Sequence, residues 1–96
     1  MNKERVLHQL GRFHQERGHE LGIVRIGIFG SVARGDGEDA RDVDVVVELR
    51  RPNLLTLVAI KQELEDLLQE PVDIVRYREE MNDLLRRRIQ RDAIYV

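Results

Sequence analysis

Asp42 and Asp44 stand two residues apart at the start of an apolar run that extends from Val43 to Leu49. On a strand, alternate side chains share a face, so both carboxylates project the same way with Cα atoms roughly 6.5–7 Å apart. Two like charges this close repel, and a bound cation relieves the pair. Magnesium suits such a sparse oxygen set, because it is held by a few carboxylates together with substrate phosphates and water. Upstream, Gly30-Ser31 directly follows a β-branched segment. A glycine there lets backbone approach a ligand without a Cβ in the way. The Ser31 hydroxyl and the N–H groups of the following turn can donate to phosphate oxygens, helped by the positive end of a short helix. Arg34 adds a charged, forked donor that fits a triphosphate. The lysine and longer glycine spacing of a Walker-type loop are absent. A third acid, Asp73, sits within Pro71-Val72-Asp73-Ile74-Val75, where burial without a partner would be costly. Together these residues describe magnesium-assisted phosphoryl or nucleotidyl transfer, with Asp73 serving as ligand or general base.

Taken singly, each part is weak. A Gly-Ser pair is more often a plain tight turn, and acids at a strand start are commonly just solvated. Asp73 alone reads equally well as a surface-facing strand residue. The combination at this spacing favours chemistry.

The elements that position these residues follow from hydrophobic period. Val6, Leu7, Leu10 and Phe13 give a helix over Asn2–Arg17, with Gly18 as its expected stop. Ile23–Phe29 reads as a strand with Val24, Ile26 and Ile28 on one face and Ile23, Arg25, Gly27 and Phe29 on the other. Ser31–Arg41 is polar and glycine-rich, a loop or short helix. In the second strand, Val43, Val45 and Val47 oppose Asp42, Asp44, Val46 and Glu48. Asn53 is a good N-cap for a helix carrying a wide stripe of Leu54, Leu57, Val58, Ile60, Leu64, Leu67 and Leu68, ended by Pro71. Val72–Tyr77 is expected as a third strand, Met81–Arg91 as a last helix, and Ala93–Val96 as a short edge strand. If the third strand lies beside the second, Asp73 faces the same metals. The order α-β-(loop)-β-α-β-α-(β) points to an α/β sandwich with one sheet.

Ninety-six residues make one domain, 1–96, with one modest core from a 42% hydrophobic content. Any active site is then expected to be an open cleft, with part of its substrate held by a partner. Sixteen basic and eighteen acidic residues leave a net charge of −2, so direct nucleic-acid binding is not expected. The absence of cysteine rules out disulfides, thiolate zinc sites and a catalytic thiol. No signal peptide or membrane span is expected, and a cytoplasmic location follows. The run Arg86-Arg87-Arg88 with Arg91 reads as a solvated helix face, or as a surface for an acidic partner or the nucleotide. His8, His14 and His19 lack metal spacing, and Tyr77 and Tyr95 read as packing residues.

Gly30-Ser31, Ala33-Arg34-Gly35-Asp36, Asp42-Val43-Asp44 and Asp73 together resemble the signature of the DNA polymerase beta-type nucleotidyltransferase superfamily. The small size, the leading helix and the ending Arg91-Asp92-Ala93-Ile94-Tyr95 are most similar to its minimal nucleotidyltransferase branch. The resemblance spans nearly the whole chain and implies an α/β (α+β) fold, a small mixed sheet with helices packed mainly on one face, like the polymerase palm. It implies that Gly30 and Ser31 hold nucleotide phosphates, that Arg34 contacts them, and that Asp42, Asp44 and Asp73 bind Mg2+ and carry catalysis. It further implies ATP as donor and a HEPN-domain ribonuclease toxin as partner, silenced by AMP transfer to a tyrosine. In this family a serine usually precedes the first metal aspartate; here Arg41 brings bulk and charge instead. Two other functions remain to be weighed: an antitoxin that acts by binding with little or no catalysis, and a small-molecule transferase of the antibiotic-modifying kind. The intact carboxylates favour the AMP transferase, Arg41 favours the binding antitoxin, and the third normally carries a further substrate domain. Self-association without the partner is a further expectation.

Overall fold

The computed structural model describes residues 2–36 and 42–96. Arg41, and with it the substitution for the usual serine, lies outside the described residues, as does the second part of the expected loop. The chain order is α1 (Lys3–Leu21), β1 (Ile23–Phe29), α2 (Gly30–Arg34), β2 (Val43–Leu49), α3 (Leu54–Leu68), β3 (Val72–Arg76), α4 (Asp83–Asp92) and β4 (Ile94–Tyr95). The sheet runs β3-β2-β1-β4. β1 is antiparallel to both β2 and β4, whereas β2 and β3 are parallel. The sheet is therefore mixed, as expected, with α3 as the crossover between its parallel pair.

Helices α1 and α3 cover one face. Val6, Leu10 and Phe13 of α1 and Ile60, Leu64 and Leu68 of α3 pack on Ile26, Ile28, Val43, Val45 and Val47 in one buried cluster. Each fully buried aliphatic side chain there contributes about 1.5–3 kcal/mol of transfer free energy. On the opposite face a smaller cluster forms, in which Ile89 of α4 and Met81 meet Phe29 and Val46. So the helices lie mainly on one face, with α4 alone across part of the other.

Helix ends follow their caps. Asn2 accepts the Arg5 N–H at 2.9 Å, and Asn53 accepts from Leu55 and Thr56. Asn82 accepts the N–H groups of Leu84 and Leu85, so the last helix begins at Asp83 and Met81 packs ahead of it.

Three details correct the sequence reading. Gly18 does not stop α1; it is buried within the helix, which ends at Gly22 with φ +71. Burial of the helix face outweighs the cost of about 1 kcal/mol for an interior glycine. Second, Val24 does not share a face with Ile26. The pairing steps from Ile23↔Leu49 to Arg25↔Glu48, so Val24 is the extra residue of a bulge. Ile23 thereby turns into the main core, and Val24 is left 49% exposed. Third, the stripe on α3 is narrower than expected, because Leu54, Val58 and Leu67 are exposed.

Candidate active site

The two faces of β2 differ at its first residues. While Val43 and Val45 enter the core, Asp44 points to the opposite face, where α4 leaves the end of the sheet open. Pairing aligns Phe29 with Asp44 and Asp44 with Asp73. Residues in register on neighbouring strands share a face, roughly 4.8 Å apart. Asp44 and Asp73 are therefore brought together, the first half-buried and the second exposed on an edge strand. Asp42 is exposed immediately before β2.

Gly30 closes the other side. Its φ is +72, a region that penalises any side chain, and a Cβ there would sit 3.2 Å from Asp44 Cγ and overlap its Oδ2. The glycine is thus required both by backbone conformation and by close approach of the carboxylate. The five-residue α2 buries Val32 and Ala33, leaving Ser31 half-buried and Arg34 outward. Arg34 Nη2 lies 3.5 Å from Ser31 Oγ, while Nη1 donates to Asp92 Oδ2 at 2.8 Å.

Electrostatics mark the same place. Burial pushes the Asp44 carboxyl above its ordinary range, and the neighbouring Asp73 and Asp42 charges push the same way. The charges of Arg88 and Arg34 oppose this. Asp92 behaves oppositely. Hydrogen bonds from Arg91 first, and from Arg34, hold it down to about 2 against the effect of burial.

Among the described residues, Asp44 and Asp73 have no hydrogen-bonded or ion-paired partner for their carboxylates. Nor, among the described residues, are three His, Asp or Glu side chains already gathered about one point as a metal cluster. The donor chemistry nonetheless fits magnesium: the acids supply carboxylate oxygens that repel one another, and Gly30 leaves room for that of Asp44.

Sequence reasoning missed one residue and left another undecided. Asp92, four residues after Arg88, fixes Arg34; Arg88 offsets the Asp44 charge. Their i, i+4 spacing beside the buried Ile89 puts both on the sheet side of α4, a signal present in the sequence. Arg86 instead bonds Asp83 and the Glu79 carbonyl. Tyr77 and Tyr95 flank the Arg25 guanidinium at 4.9 and 4.6 Å; Tyr77 also packs on the smaller cluster, whereas Tyr95 is 36% exposed. Two surface grooves, of about 440 Å³ between α1 and α3 and about 500 Å³ around Gly22 and Arg50–Asn53, are lined by none of the candidate residues. Among the described residues no helix is long and apolar enough to cross a membrane.

Residues 10–96 match the nucleotidyltransferase domain family. A chain from Methanocaldococcus jannaschii named as a protein adenylyltransferase is 40% identical over 76 residues, covering 78% of this chain and 81% of its own length. The protein adenylyltransferase MntA of Thermococcus cleftensis is 31% identical over 83 residues, 85% of this chain and 83% of its own. Among solved structures, a minimal nucleotidyltransferase superposes with a TM-score of 0.72 at 33% identity, over 98% of this chain and 95% of that one. Two toxin–antitoxin structures share the fold alone. A tri-AMPylated Shewanella oneidensis HEPN toxin with its MNT antitoxin gives a TM-score of 0.69 at 16% identity, over 97% of this chain and 70% of that one. A complex with AMP-PNP gives 0.68 at 18%, over 99% and 72%.

Proposed function

This chain belongs to the nucleotidyltransferase domain family and is a nucleotidyltransferase, and we propose that it transfers AMP from ATP to a tyrosine hydroxyl of a partner HEPN ribonuclease toxin, acting as that toxin's antitoxin. The observation that carries this reading is the Asp44–Asp73 pair, set in register beside a glycine that admits no Cβ. The names of the relatives support a protein as acceptor, and the AMP-PNP complex of a fold neighbour supports an adenine nucleotide as donor.

In the reaction, the tyrosyl oxygen forms a bond to the α-phosphorus. The bond from that phosphorus to the bridging oxygen of the β-phosphate breaks, and pyrophosphate leaves with the electron pair. Asp73, exposed at the sheet edge, is reachable by a hydroxyl on another protein and takes its proton. Gly30 and the N–H groups of α2 let the phosphates approach, and the Ser31 hydroxyl and Arg34 donate to their oxygens. Asp42, Asp44 and Asp73 would hold Mg2+, which when bound neutralises the phosphates and the repulsion among the three acids. Because Asp73 is on an edge strand, the acceptor can be presented from outside the chain, in keeping with a domain too small to enclose it.

Incubation of the protein with its partner toxin, Mg2+ and each nucleoside triphosphate, followed by intact-mass analysis, tests the proposal. Added AMP units on the toxin, absent with Asp44→Asn, are expected with ATP. A toxin that stays unmodified yet remains blocked in a stable complex would instead favour the antitoxin that acts by binding.

A further inference from the structure

A second carboxylate lies beside the candidate site and differs from Asp44 in being fully paired. The Asp92 side chain is only 4% exposed and is saturated with donors. Oδ2 accepts from Arg34 Nη1 at 2.8 Å and from Arg91 Nη2 at 3.1 Å, while Oδ1 accepts from Arg91 Nε at 2.8 Å. It stands at the last residue of α4, whose Ile89 anchors that helix on Phe29 and Val46. Arg34, in contrast, closes a helix of only five residues and is 40% exposed. A long, flexible side chain on so short an element is oriented by its partners, and beside the buried Asp92 the other acid, Asp36, is 62% exposed and pairs with Arg34 Nε more loosely, at 3.5 Å. A planar guanidinium carries five N–H donors in a fixed fork. Pinning Nη1 to Asp92 fixes that fork and directs Nη2 toward Ser31 Oγ, at 3.5 Å.

We infer that Asp92 is a positioning residue: it holds the Arg34 guanidinium in the orientation in which its free N–H groups meet the phosphates of the nucleotide beside Ser31. The inference rests on the nucleotidyl-transfer reading of the site and adds α4 to it. Prepaid orientation of one charged donor is felt mainly in nucleotide binding. Arg91, on the outer side of Asp92, supplies two further hydrogen bonds, so the buried carboxylate stays paired while it holds Arg34.

The opposite role has the same geometry: Asp92 could compete with the phosphates for Arg34. The two give opposite signs. Wild type, Arg34→Gln, Asp92→Asn, Asp92→Glu and the double variant Arg34→Gln/Asp92→Asn are compared, with ATP affinity measured by calorimetry in Mg2+ and AMP transfer to the toxin measured as KM and kcat. Positioning is expected to raise Kd and KM for ATP about 10-fold in Asp92→Asn with kcat within about 3-fold. Asp92→Glu is expected to recover part of the loss. The double variant is expected to be no worse than Arg34→Gln alone, because the two residues act as one unit. An unchanged or lowered KM in a folded Asp92→Asn, or losses that multiply in the double variant, would overturn the inference while leaving wild-type transfer intact. A wild type that neither binds ATP nor transfers AMP would overturn both the inference and the function beneath it.

Discussion

The two faces of strand β2 follow opposite rules. Toward α1 and α3, Val43, Val45 and Val47 are fully buried, and their neighbours from five other elements fill the space around them. Toward α4, the same strand offers Asp44, Val46 and Glu48, of which only Val46 is covered. Asp44 faces Asp73 with its proton affinity raised, and Glu48 is held by Arg25 at 2.8 Å. The first face lowers free energy by removing apolar surface from water. The second keeps like charges together at some cost in stability, which is the usual mark of a site kept for binding or chemistry. A single alternation of residues therefore divides stability from function within seven positions.

The sharpest way to break this division is at Asp44. Asp44→Asn is expected to lower AMP transfer by on the order of 10²–10³-fold, while the melting temperature stays the same or rises as repulsion with Asp73 is relieved. Transfer assays and thermal melts on one preparation check both; a large drop in stability would place Asp44 with the core instead. Across the strand, Leu64→Ala is expected to cost about 2–5 kcal/mol in denaturant unfolding, with transfer per folded molecule unchanged. Gly30→Ala touches both sides of the comparison. It places a side chain at φ +72 against Asp44, so about 1–2 kcal/mol of stability is expected to be lost together with most nucleotide affinity.

A smaller effect concerns pH. Asp92 falls from an ordinary 3.8 to about 2 on folding, so its contribution is fully present above the unfolded value and is lost as pH falls through the folded one. The melting temperature of wild type is therefore expected to exceed that of Asp92→Asn above about pH 4, with the gap closing toward pH 2. Smallest of all, Leu55→Ser on the exposed start of α3 is expected to change stability by no more than about 0.5 kcal/mol.

Much of this was legible in the residues. The β1 and β2 boundaries and the Asn53 cap follow from period and turn chemistry, because each signal is local, whereas the mixed sheet was implied by the family resemblance. Placing Asp73 beside Asp44 required only that β3 neighbour β2, which a crossover helix of one stripe makes natural. What could not be read depends on tertiary contacts. Gly18 looks like a stop until packing holds the helix through it to Gly22. The Val24 bulge breaks an alternation that looks regular in the sequence, and only the pairing with Leu49 and Glu48 reveals it. The spacing of Asp92 from Arg88 placed it on the sheet side of α4, but its partner could not be read, since Arg34 lies 58 residues earlier in the chain.

The most direct test of the division is amide shift mapping by NMR, with Mg2+ and a non-hydrolysable ATP analogue added to the protein. Shifts concentrated at Gly30–Gly35, Asp44 and Asp73, with Leu10 and Leu64 silent, are the expected result. Shifts gathered instead in the groove between α1 and α3, with none at Asp44 or Asp73, would contradict the account.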